Sequence, residues 1–146
     1  EVVKDIITQD LFHQLNAEFT ANEVVEAIGN LKGLAAPGPD GLPAILYHTY
    51  WDIINKDVIE AALHILNKGG DSTPFNETYI CLIPKKNNPT QPSDFRPISL
   101  CNVILKIITK TIANRIKVIL PQVISSNQSA FVPGRLITDN ILVAYE

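Results

Sequence analysis

Methionine is absent from all 146 residues, and the chain opens on Glu1. Its last residues, ITDNILVAYE, begin a helical repeat through Ile137, Ile141 and Val143/Ala144 that meets no cap. A chain cut at both ends is therefore expected. There is no run of 18 apolar residues and no basic-then-apolar leader, so neither a helical membrane span nor a signal peptide is expected. Cysteine is limited to Cys81 and Cys101, which form no CxxC pair, and reduced, buried thiols are expected rather than a disulfide. His13, His48 and His64 lack metal-ligand spacing, which leaves no recognisable metal site.

Acid is scarce in one region only. Residues 1–77 hold 4 Lys/Arg against 12 Asp/Glu, whereas residues 78–135 hold 8 against Asp94 alone. The formal net charge of -3 thus conceals -8 followed by +7, with Asp139 and Glu146 making up the difference. Clustered cations repel one another unless something negative lies between them, so the second region is expected to face a polyanion.

What is present is enough for one domain: 46% of the residues are hydrophobic, and no internal repeat, low-complexity segment or long linker divides the chain. Residues 1–15 repeat weakly at helical spacing. Thr20 and Glu23 then form a capping box, flanked by Phe19 and Val24 as a hydrophobic staple. Val24, Ile28 and Leu31 give an apolar stripe, with Gly33 as the expected stop. The run Ala36-Pro37-Gly38-Pro39-Asp40-Gly41 forbids helix and strand alike and must be a fixed turn. Pro43 suits the first turn of a helix running towards Trp51, and Asn55 is a candidate cap for the next, which Gly69-Gly70 ends.

TYICLIP and FRPISL, joined by the turn formers NNPTQPSD, predict a β-hairpin over residues 78–100. Pro97 restricts it to an edge position, which suits a two-stranded ribbon. Lys85, Lys86 and Arg96 cluster at its tip. They either grip phosphate or simply keep an edge strand from pairing with other chains. The longest predicted helix follows, from Asn102 to about Leu120, with Pro121 as its stop. At about 100° per residue, Lys106, Lys110 and Lys117 fall within about 40° of one another. Ile104, Ile107, Ile108, Thr111, Ile112 and Ile119 occupy the far side, which is the expected core. Arg115 projects into that stripe and must meet a carboxylate or reach a ligand, because a buried unpaired guanidinium is too costly.

The segments APGPDGLPAILYHTYW, LIPKKNNPTQPSDFRPISLCNVILKIITKTIANRIK and QSAFVPGRLITDNILVAYE resemble three successive blocks of the reverse transcriptases of non-LTR (LINE-type) retrotransposons, plant elements in particular. They stand in family order and at family-like spacing, and the last is also similar to the group II intron enzymes. Leu105 departs from the Tyr common in plant elements, which puts only local packing in doubt.

The resemblance implies a single partial domain over 1–146, the fingers of a right-hand polymerase up to the start of the palm. Its fold would be α+β, mostly helical with one antiparallel hairpin. The resemblance assigns Arg96 and either Lys85 or Lys86 to the triphosphate of the incoming deoxynucleotide. It sets Gln128, Phe131, Gly134 and Arg135 near the RNA template and DNA primer, and the basic helix face of Lys106, Lys110 and Lys117 fits the same partners. The family holds its two metals on aspartates, including an Asp-Asp pair, and this chain has no such pair. No catalytic residue, metal or bound cofactor is expected in the chain itself, and Mg²⁺ is expected in the complete enzyme. The complete protein would be intracellular, and nuclear by family resemblance alone. The alternatives are a non-enzymatic RNA-binding module and an inactive remnant. An intact F/Y-x-D-D reading frame downstream would favour the polymerase.

Overall fold

The structure, a computed structural model, describes residues 8–124 and Gly134. Their contacts fall into two compact units, one of residues 19–111 and one of residues 8–18 with 112–124. The chain is α+β: the described residues form five α-helices, two short 3₁₀ turns and one antiparallel two-stranded sheet. No helix among them is long and apolar enough to cross a membrane.

The larger unit begins with α2 (Ala21–Gly29), whose start is the predicted capping box. Glu23 N–H donates to Thr20 Oγ1 at 3.4 Å, and Thr20 N–H donates to Glu23 Oε2 at 2.8 Å. Two of the helix's orphan donors are thereby satisfied. The helix ends at Gly29 with Asn30 as its C-cap, four residues before the expected stop at Gly33. Leu31 lies beyond it in a turn, its N–H donating to Ile28 O.

Helix α3 (Ala44–Thr49) has Pro43 as its N-cap, and α4 (Trp51–Lys68) follows after Tyr50. Asn55 caps nothing. It lies one turn inside α4 and its Nδ2 donates to Trp51 O at 2.9 Å. The expected cap was misplaced because α4 starts without any side-chain cap, directly from the last turn of α3. Its C-terminus does follow the sequence, with Gly69 left-handed at φ 65°.

The core of this unit joins Val24 and Ile28 of α2, Ala44 and Tyr47 of α3, Val58 and Ala62 of α4, and Val103, Ile104, Ile107 and Ile108 of α5 (Val103–Val123). Burying each large aliphatic side chain is worth about 1.5–3 kcal/mol, which offsets the entropy of fixing four helices. Thr111 is fully buried without cost to its hydroxyl, which donates to Ile107 O at 2.9 Å. Burial raises the Tyr47 phenol above its ordinary pKa, and the Asp40 charge adds to the shift.

Helix α5 continues through Pro121 to Val123 rather than stopping at Leu120. Pro121 stands in the last turn, where its missing N–H removes only one helical bond, and Ile124 N–H still donates to Leu120 O. Ile112 departs from the predicted core face and is exposed.

In the smaller unit, α1 (Gln9–Asn16) starts at Thr8, whose Oγ1 accepts from Leu11 N–H. The earlier part of the predicted amphipathic stretch, residues 1–7, lies outside the described residues, as do the helical repeat after Thr138 and the site candidates Gln128, Phe131 and Arg135. Leu11 and Ile119 are buried here. Arg115 donates to the carbonyls of Leu15, Ala17 and Glu18. The guanidinium thus meets backbone acceptors in and just after the last turn of α1, where a cation is favoured.

Candidate phosphate-binding ribbon and basic helix

Strands β1 (Thr78–Pro84) and β2 (Phe95–Cys101) pair antiparallel in full register, from Thr78 opposite Cys101 to Pro84 opposite Phe95. This is the predicted hairpin, with Pro97 opposite Leu82 in a ribbon that has no third strand among the described residues. Lys85 N–H donates to Asp94 O at 2.7 Å and extends the ladder one step towards the tip.

The ribbon is apolar on both faces and exposed on both, with Tyr79 at 62%, Ile80 at 69% and Leu82 at 58% of full exposure. Cys81 is exposed too, against the expectation of a buried thiol, while Cys101 is half-buried and receives a hydrogen bond from Thr78 Oγ1. The composition of a strand reports its β-propensity, not which of its faces is covered.

At the tip, the single acid of the basic region organises the turn. Asp94 Oδ2 accepts from Thr90 N–H at 2.9 Å and from Gln91 N–H at 3.0 Å, and Oδ1 pairs with Lys86 Nζ at 2.9 Å. These partners hold the Asp94 carboxyl below the ordinary carboxylate range, the Lys86 bond most of all. Lys85 instead donates from Nζ to Ser93 O at 2.9 Å, a neutral acceptor. Asn88, at φ 55°, takes the left-handed conformation that asparagine tolerates in a turn.

Arg96 is exposed on β2 directly opposite Ile83, and no described residue offers it a hydrogen bond or ion pair. Side chains alternate across a strand, so Ile83 and Lys85 share a face, and Arg96 shares it with them. Lys85 and Arg96 are then diagonal neighbours, at about 7–8 Å between backbones, a spacing one polyphosphate can bridge. Lys86 has the opposite parity and is already neutralised.

The turn Ala36–Gly41 is fixed from α5. Asn102, only 6% exposed, accepts on Oδ1 from Asp40 N–H at 3.1 Å, and its Nδ2 donates to Phe75 O at 3.4 Å. Lys106 Nζ donates to Ala36 O at 2.8 Å. Gly38 lies so close that a Cβ would stand 2.3 Å from Asn102 N. Asp40 has the expected turn role, its Oδ1 accepting from Leu42 N–H at 3.0 Å. Asn102 was missed by the sequence reading, since its partners lie 62 and 27 residues away and leave no local pattern.

Of the helix lysines, Lys106 is therefore committed to the turn. Lys110 is half-buried and Lys117 exposed on the same α5, each in a different unit. Gly134 is an exposed turn residue at φ 80°.

Residues 83–145 match the family model described as reverse transcriptase (RNA-dependent DNA polymerase), a match that takes in Lys85, Lys86, Arg96 and the whole of α5. The similarity to reverse transcriptases is thus carried by the C-terminal part of the chain. Two relatives narrow the group. The transposon TX1 uncharacterized 149 kDa protein of Xenopus laevis is 29% identical over 138 residues, 94% of this chain and 11% of that protein. The retrovirus-related Pol polyprotein from type-1 retrotransposable element R2 of Nasonia vitripennis is 29% identical over 96 residues, 66% of this chain and 9% of that protein. Both relatives are, by name, proteins of transposable elements. The chain spans about a tenth of the length of these relatives.

Proposed function

We propose that the chain forms the fingers, up to the start of the palm, of the RNA-directed DNA polymerase of a plant-like LINE-type element. In this reading the ribbon tip grips the triphosphate of the incoming deoxynucleotide. The observation that carries it is Arg96, an exposed guanidinium without a partner among the described residues, on the same ribbon face as Lys85. Phosphoryl transfer requires cations on the oxygens of the transferred and leaving phosphates, and a guanidinium can hold two of them at once. Lys85 is the better second cation, because Lys86 is held by Asp94 while Lys85 has only a carbonyl to leave.

Lys110 and Lys117, with Gln128, Phe131, Gly134 and Arg135, serve the RNA template and DNA primer. Lys106 supports them indirectly by fixing the Ala36–Gly41 turn. The palm and thumb complete the enzyme, which acts inside the cell and in the nucleus. Mg²⁺ enters with them in this reading, since the sequence has no Asp-Asp pair. In this reading no chemical step is assigned to this chain and none of its residues is given a catalytic role.

The test measures binding of each deoxynucleoside triphosphate to the purified chain and its variants. Arg96→Ala is expected to weaken all four alike by about tenfold to a hundredfold, equivalent to about 1.5–3 kcal/mol for a charge-assisted contact. Arg96→Lys should recover only part of this, because a point charge lacks the planar fork. Lys85→Ala should cost more than Lys86→Ala. Unchanged binding in Arg96→Ala would refute the reading, and primer extension by the chain alone would refute its lack of catalytic metal ligands.

A further inference from the structure

Asp94 is the one acid in a segment holding eight basic residues, and it stands at the centre of the ribbon tip. Its carboxylate fills a small anion cradle: two consecutive backbone N–H groups, from Thr90 and Gln91, converge on one oxygen, and the Lys86 ammonium meets the other. Successive N–H groups of a turn aimed at one point are the arrangement that proteins use for phosphate oxygens. The chain has filled this place with an anion of its own. The carboxylate is also the better sheltered partner, 13% exposed against 56% for the lysine, so incoming ligands meet Lys86 with its charge already matched.

We infer that Asp94 is a specificity-determining residue of the phosphate grip, withholding Lys86 and the Thr90 and Gln91 N–H groups so that an incoming polyphosphate meets only Lys85 and Arg96. The inference rests on the triphosphate reading above and concerns how selective that site is. Three unopposed cations and a free cradle would take any polyanion, including the phosphodiesters of nucleic acid, by charge alone. With Asp94 in place, less of the affinity comes from charge density and more from the guanidinium fork. That favours a terminal polyphosphate, whose oxygens Arg96 can take in pairs.

The sign of the effect separates this role from a purely structural one. Asp94→Asn keeps an acceptor for the turn and removes the charge, so it should free Lys86 and tighten binding of inorganic tripolyphosphate about three- to tenfold, with a steeper loss as salt rises. Single-stranded RNA should gain at least as much, which narrows the preference for tripolyphosphate. Adding Lys86→Ala to Asp94→Asn should cancel the gain. Asp94→Ala, which also removes the acceptor, should loosen the turn.

Measured on the full chain, these variants give distinct outcomes. Loss of tripolyphosphate binding in Arg96→Ala together with no gain in Asp94→Asn would overturn the inference and leave the triphosphate grip intact. Tripolyphosphate binding that is indifferent to Arg96 would overturn the grip itself. A carboxyl titration followed by NMR tests the withholding without any ligand. The Asp94 resonance should titrate below the ordinary carboxylate range and move back up in Lys86→Ala, and an unmoved titration would show that Lys86 is not held.

Discussion

Asn102 shows how much of this structure turns on single side chains. It caps no helix of its own with its amide. Instead it joins the Ala36–Gly41 turn to Phe75 through two hydrogen bonds, immediately after the strand that carries Arg96. Asn102→Ala would leave Asp40 N–H and Phe75 O without these partners and is expected to cost about 1–3 kcal/mol, from about 0.5–1.5 for each of the two hydrogen bonds lost. Gly38→Ala forces a methyl against the same backbone and is expected to cost about 1–3 kcal/mol. Thermal or urea unfolding of both variants checks this. A double mutant less destabilised than the two separate costs together would confirm that they act on one junction. The turn holding Gly38 was legible, but its close approach to Asn102 cannot be read from local pattern. By contrast the Thr20–Glu23 box and the left-handed Gly69 were legible, because their partners lie within one turn of chain. Arg115 was legible only as an anomaly: its position in the apolar stripe required a partner, but nothing in the sequence said that carbonyls at and just after the end of α1 would serve.

At the scale of elements, the hairpin was readable to its ends because β-branched runs and turn formers alternate sharply there. The exposure of both its faces was not readable, since an apolar strand looks the same in sequence whether or not anything covers it. The ribbon's turn carries a pH dependence of definite sign. The Asp94 carboxyl is held below its unfolded value, so its contribution to stability is present above the ordinary carboxylate range and is lost as pH falls through the depressed folded value. The protection of the Thr90 and Gln91 amides, taken relative to their intrinsic exchange rates, should therefore fall in acid in the native chain. Asp94→Asn should remove that pH dependence, and identical profiles in the two proteins would contradict it.

The lysines on the basic face of α5 are not equivalent. Lys106 is tied to Ala36 O, so its charge reversal is expected to lower stability as well as affinity. Charge reversal at Lys110 and Lys117 should weaken binding to a primer–template duplex, with the loss shrinking as salt rises, and leave the melting temperature nearly unchanged. The same change at Lys32 and Lys68, in the acidic part of the chain, should not affect binding. Equal losses from both pairs would mean that the basic segment is not the nucleic-acid surface.

Taken whole, the chain divides its work by charge: an acidic N-terminal part builds most of a helical core, and a basic part presents the ribbon and α5. The net charge alone hides this, whereas the segment-by-segment count exposes it. The reverse transcriptase match covers the basic part and β1 from Ile83 onwards, which is where the candidate phosphate ligands lie. The central claim is that Arg96 touches the triphosphate, and the most direct test watches that side chain. In an NMR titration of the chain, the Arg96 Nε–H resonance should shift on addition of any of the four deoxynucleoside triphosphates and of inorganic tripolyphosphate, and stay in place with the unphosphorylated deoxynucleosides. A resonance indifferent to all of them, or one that follows the base and not the phosphates, would contradict the account.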